Sequence, residues 1–205
     1  MAIGREVDQY VALTIEPAHT TRGAVNMTEQ DDALRRLVDK DEIRAVLHSY
    51  CRGIDRGDAE LMSSIYHDDG LDFHGSGSGP GKEFGPRTKE RMANDPRFAT
   101  MHFLGPTTFV FDGHVAHTET YVRATLVVEG PEGWHLELFI GRYLDRFERR
   151  DSKWLIARRI TMRDFMGATP ITPMMPERPY QGLRSEADVS YAHLQFEELA
   201  VPDWP

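Results

Sequence analysis

One cysteine, Cys51, stands in 205 residues. No internal disulfide is therefore possible, and a reducing, cytoplasmic setting is expected. No apolar run reaches the ~20 residues of a membrane span. The N-terminal stretch carries Arg5, Glu6, Asp8 and Glu16 and lacks the apolar core of a secretion signal. Basic residues are the scarcer charge, 24 against 33 acidic, giving a net charge of -9. That balance excludes nucleic acid and anionic membrane as partners, since both require clustered Lys and Arg. No internal repeat is visible. What is present is 40% hydrophobic and 28% charged residues, ordinary values for a globular chain long enough to bury a core without staples. A small molecule is the expected partner.

Residues 1–27 show no clean period and read as an arm packed on the domain or on a neighbouring subunit. Residues 28–167 carry the periodic signals of one domain. Residues 168–205 form a tail, with Pro170, Pro173, Pro176 and Pro179 opposing regular structure. Within the domain, Thr28 marks a helix start, and Leu34, Leu37 and Val38 share a face. Asp39 with Glu42 suggests a second start at a kink. Ile43, Val46, Leu47, Tyr50 and Ile54 then follow helical spacing as a buried stripe. Gly57 is a stop, and Asp58 caps a shorter helix bearing Leu61, Met62 and Ile65. His67 to Gly70 reads as a turn, followed by a short strand at 71–74. The glycines between 75 and 81 lack the Gly-Lys-Ser/Thr ending of a phosphate-binding loop and suit the mouth of a pocket. After a short helix at 86–95, the chain to residue 165 alternates as antiparallel strands, with Asp112-Gly113 as a hairpin signal and Gly141 as a kink point.

Helices first and strands after predict an α+β fold with helices packed on one face of the sheet. Strands longer than the usual ~5–6 residues predict curvature and bulges. The helical stripe then fills a concave face incompletely and leaves an apolar pocket at the open end.

Several motifs now fall in order: Tyr50-x4-Asp55-x2-Asp58, Tyr66-His67-x-Asp69, His102-Phe-Leu-Gly, and Gly141-Arg142-Tyr143-x-Asp145-Arg146-Phe147 with Trp154-x-Ile156. From about Leu34 to Asp164 the chain resembles the SnoaL-like branch of the nuclear transport factor 2-like superfamily. The resemblance implies a cone: a strongly curved mixed, mainly antiparallel sheet wrapped around N-terminal helices, enclosing an apolar cavity. Members of the branch include scytalone dehydratase, bile-acid 7α-dehydratase and hexachlorocyclohexane dehydrochlorinase, lyases that use a strand histidine and an aspartate on the first long helix. Carried over, these are His102 and Asp55, and Tyr50 matches the helix tyrosine of the bile-acid enzyme. Phe73 or His74 falls where scytalone dehydratase has a water-holding tyrosine. Phe73 has no hydroxyl for that task, which leaves His74. Thr125 falls near that enzyme's second strand histidine and departs from it. The dehydratases are trimers, so a homo-oligomer is implied, a trimer favoured over a dimer.

The chemistry suits these residue types. A histidine base has a pKa near working pH, and a carboxylate on its other ring nitrogen fixes the tautomer and stabilises the imidazolium. A nearby phenol polarises a carbonyl or protonates a leaving hydroxyl. The expectation is a lyase or isomerase acting on a small hydrophobic cyclic substrate such as a steroid, polyketide or terpenoid, with no cofactor and no metal required. The alternative is a non-catalytic binding or structural subunit, as in the small subunits of ring-hydroxylating dioxygenases. Residue by residue, the bland readings stay open. Tyr50 and Tyr143 are either pocket wall or core, and Arg159 and Arg163 are either substrate contacts or solvated edge charges.

Overall fold

The structure, a computed structural model, describes residues 27–92, 97–172, 182–197 and 199. The expected arm falls outside these residues but for Met27, and so do much of the tail and the Asp95-Pro96 end of the predicted helix.

Helix α1 spans Met27–Arg56 without interruption. The second helix start expected at Asp39 does not occur. Asp39 is instead a buried side chain that accepts hydrogen bonds from Trp154 Nε1 at 2.9 Å and Arg149 Nη1 at 3.0 Å. The two halves of α1 meet different surroundings. Ile43, Leu47, Tyr50 and Ile54 are buried against the sheet, whereas Leu34, Leu37 and Val38 are exposed. The helix stops at Gly57, whose φ of +68° is open to a residue without Cβ. Asp58 then caps α2 (Ala59–Ser64) by accepting from Leu61 N at 2.9 Å.

Strand β1 runs Tyr66–Phe73, so the stretch read as a turn at 67–70 lies within a strand, where it forms an irregularity in the pairing with β6. The short β2 (Gly79–Pro80) and helix α3 (Phe84–Met92) follow. Four long strands complete the sheet: β3 (Arg97–Asp112), β4 (Val115–Gly130), β5 (Gly133–Arg150) and β6 (Lys153–Pro170). The last strand outruns its expected end at 165, because β5 offers pairing partners as far as His135, opposite Pro170. A proline at the final strand position forfeits little of the ladder.

The strand order is β2-β1-β6-β5-β4-β3, parallel between β1 and β6 and antiparallel elsewhere. The sheet is curved and not closed, as expected for the fold class. Its curvature has located causes. Register shifts occur at Leu104/Thr107, Ile140/Gly141 and Arg146/Phe147. Gly141 is required at the second, since a Cβ there would meet the Met162 carbonyl oxygen at 2.0 Å. The concave face packs Val122, Tyr143, Phe147 and Ile156 on the buried stripe of α1. The convex face leaves Met101, Phe103, Val110 and Tyr121 exposed. Within the tail, α4 (Ser190–Leu194) lies against the end of α1. Tyr191 donates to Asp58 at 2.9 Å and stacks under the Arg52 guanidinium at 4.3 Å. Among the described residues, no helix is long and apolar enough to cross a membrane.

Candidate active site

Between the C-terminal half of α1 and the open end of the sheet lies a cavity of about 210 Å³. A wider open depression of about 900 Å³ borders the exposed half of α1 near Leu34, His114 and Arg149. It contains neither Asp55 nor His102.

The smaller cavity collects most of the expected site residues. His102 reaches it from β3, and Asp55, on the last turn of α1, stands behind His102 without lining the cavity itself. His102 Nδ1 lies 2.7 Å from Asp55 Oδ1, the His102 backbone N–H donates to Oδ2 at 2.9 Å, and the Thr100 hydroxyl donates to Oδ1 at 3.2 Å. The carboxylate is thus locked by three hydrogen bonds, one from the backbone and two from side chains, all of β3. A carboxylate only accepts, so Nδ1 carries the proton and Nε2 keeps its lone pair for the cavity.

A second histidine–carboxylate pair faces the first. His74 lies just past the end of β1, two residues after Asp72, and its Nδ1 donates to Asp72 Oδ1. The Tyr66 hydroxyl donates to the other oxygen of Asp72. His74 Nε2 is 3.1 Å from the Tyr50 hydroxyl. Tyr50 stands between the two pairs, its ring 6.0 Å from that of His74 and 5.9 Å from that of His102. Burial pushes the phenols of Tyr50 and Tyr143 well above the ordinary tyrosine range, against the pull of Arg159. Both are donors, not bases, at physiological pH. Burial likewise pushes the Cys51 thiol up to about 12, so it stays an inert thiol.

Tyr143 and Arg163 also line the cavity. Two expected contacts do not. Phe73 points to the opposite face of β1 from Asp72 and lies under the Arg158 guanidinium at 4.9 Å. Thr125 is turned away because its neighbours Ala124 and Leu126 line the cavity, and strand alternation sends the residue between them to the other side. The edge-charge reading of Arg159 is also corrected. Arg159 is fully buried and pairs with Asp145 through Nε–Oδ1 and Nη2–Oδ2, both 2.8 Å. Its guanidinium lies 4.4 Å from the Tyr50 ring centre and 4.2 Å from that of Tyr143. Burial works against the charge, but Asp145 outweighs it and holds the group protonated.

A family model described as the SnoaL-like domain matches residues 35–160. The chain belongs to the SnoaL-like domain family. Solved structures agree on the fold. Hexachlorocyclohexane dehydrochlorinase LinA-type3 from Novosphingobium barchaimii LL02 superposes with a TM-score of 0.61 at 18% identity, over 71% of this chain and 99% of that one. A candidate scytalone dehydratase from Novosphingobium aromaticivorans gives 0.58 at 16%, over 71% and 97%. A candidate aromatic ring hydroxylase from the same species gives 0.54 at 19%, over 65% and 94%. No curated protein matches by sequence. Proteins described by three different activities share this SnoaL-like fold, so the fold does not choose among them.

Proposed function

We propose that this SnoaL-like protein is a cofactor-independent lyase, or an isomerase using the same groups, acting on a small hydrophobic cyclic substrate. The observation that carries the proposal is the 2.7 Å contact between His102 Nδ1 and Asp55, which leaves Nε2 as the base in a largely apolar cavity. His102 Nε2 takes a proton from a carbon next to an activating group. The C–H electron pair becomes the new C=C bond, and the leaving hydroxide or halide departs with the electrons of its own bond. Asp55 orients the ring and stabilises the imidazolium.

The donor role falls to Tyr50 backed by His74. His74 Nε2 is engaged with Tyr50, so the group that reaches the substrate is the Tyr50 hydroxyl. The proton that Tyr50 delivers to the leaving group is replaced through His74, whose Nε2 lies on the Tyr50 oxygen and whose Nδ1 is held by Asp72. In an isomerase the same donor protonates a carbon further along the conjugated system. The cavity is below the ~300–1,000 Å³ of drug-sized sites, which favours a body of one or two rings over a full steroid.

The test is a panel of one- and two-ring ketones and acids bearing hydroxyl or halogen β to an acidic C–H, incubated in deuterium oxide with mass-spectrometric readout. Wild-type protein is expected to release water or halide from a panel member, or to exchange its acidic hydrogen. His102→Gln is expected to lower that rate by roughly 10²–10⁴-fold. Binding of panel members with neither elimination nor exchange would turn the reading to a non-catalytic subunit. The exposed apolar residues of the convex face support a homo-oligomer, a trimer favoured, and a monomer in sedimentation would refute it.

A further inference from the structure

The rim of the cavity has a charge pattern that the elimination chemistry does not use. Arg91 from α3, Arg163 from β6 and Arg184 from the tail all line it, with Glu137 as the carboxylate beside them. A chain of net charge -9 has brought three guanidinium groups from three separate segments to one opening.

The acids nearby are committed elsewhere. Glu137 Oε1 is 3.4 Å from His135 Nε2. Asp164, next to Arg163 in sequence, is held in a two-point contact by Arg142 at 2.8 and 2.9 Å, and Glu119 pairs with the same arginine at 2.7 Å. Among the described residues neither Arg91 nor Arg163 has a carboxylate partner, whereas Arg87, on the same helix as Arg91, pairs with Glu83 at 3.1 Å. Arg163 stands opposite Gly141 in the ladder, so no side chain from that partner covers it.

We propose that the cavity binds a carboxylic acid, its carboxylate held at the rim by Arg163 and Arg91 with Arg184 beside them, and its apolar ring body reaching in toward His102. A guanidinium fork matches a planar carboxylate in two-point contact. Arg91 and Arg163 set two guanidinium groups against the single carboxylate of Glu137, so the lining keeps a positive charge for one carboxylate. The proposal rests on the cavity being the substrate site, and it fixes the orientation of the substrate: acid outward, reacting carbon inward.

The test is titration calorimetry of the full chain with 2-naphthoate, 2-naphthamide and 2-naphthyl phosphate, which share one apolar body. The acid is expected to bind at least about tenfold tighter than the amide, since a charge-assisted hydrogen bond outweighs a neutral one by that much. The advantage is expected to shrink toward unity in Arg163→Met and in Arg91→Met, and in high salt, while the amide's affinity stays level. Equal binding of acid and amide overturns the proposal, as does binding of neither, or tightest binding of the phosphate. His102→Gln is expected to keep the acid's advantage, so loss of the base assignment and loss of the carboxylate assignment are read separately.

Discussion

A buried ion pair and a buried histidine–carboxylate pair sit on either side of Tyr50 in this domain, and they are built for opposite ends. Arg159 and Asp145 face each other squarely, are sealed from solvent, and are lidded by the rings of Tyr50 and Tyr143. Neither carboxylate oxygen is left over. His102 and Asp55 are almost as buried, but the pairing uses one ring nitrogen and leaves the other toward a cavity. Burial and charge alone therefore do not mark a site of chemistry. What separates the two is an uncommitted lone pair beside a space large enough for a molecule.

The contrast is broken most forcefully at Arg159. Removing one partner of a buried pair leaves the other as a lone charge, at a cost of about 3–5 kcal/mol. Arg159→Met is expected to lower the urea midpoint accordingly, and adding Asp145→Leu is expected to restore much of the loss. Single-variant stability equal to wild type would mean that the pair is no part of the framework. His102→Gln gives the mirror result. It is expected to change stability by no more than about 1 kcal/mol, the net worth of one hydrogen bond, while activity collapses. A variant that unfolds instead would class both pairs together as structural.

The difference in legibility between these pairs has a physical origin. Asp55 and His102 came from the resemblance to the SnoaL-like branch, whose lyases set an aspartate on the first long helix and a histidine on a strand; taken alone, neither position stands out. The buried stripe of α1 was plain from Ile43 to Ile54. Arg159 was not readable, because the register shift at Arg146/Phe147 skips Ala157 and moves the inward face of β6 from the even residues Trp154 and Ile156 to the odd residues Arg159 and Thr161. A strict period of two carried across that bulge assigns Arg159 to the wrong side. Asp72 did have a signal, its two-residue spacing from His74, but the irregular pairing at 67–70 disguised the start of the strand. The exposed Leu34, Leu37 and Val38 show the converse: an apolar helical face is visible in sequence, but what it packs against is not.

Asp188 carries the smallest expected effect. Like Asp145 it is a buried carboxylate with its oxygens occupied, accepting from Leu183 N at 2.8 Å and from Ser190 N at 3.0 Å, and lying 3.5 Å from Arg56 Nε. Unlike Asp145 it ties down only the tail segment against α1. Burial raises its pKa, but the Ser190 hydroxyl, the two backbone N–H groups and Arg56 outweigh that and hold it below the ordinary carboxylate range. A depressed folded-state pKa contributes stability that is fully present above the unfolded value of ~3.9 and is lost as pH falls through the folded one. Docking of residues 183–194 is therefore expected to persist at neutral pH and to fail in acid below about pH 4. Asp188→Asn is expected to weaken it by about 1–2 kcal/mol at neutral pH, read as faster amide exchange across 183–194 with the β4–β5–β6 amides unchanged. If exchange accelerates throughout the sheet instead, the tail is part of the cooperative core. A fully committed carboxylate would then carry the same weight wherever it sits.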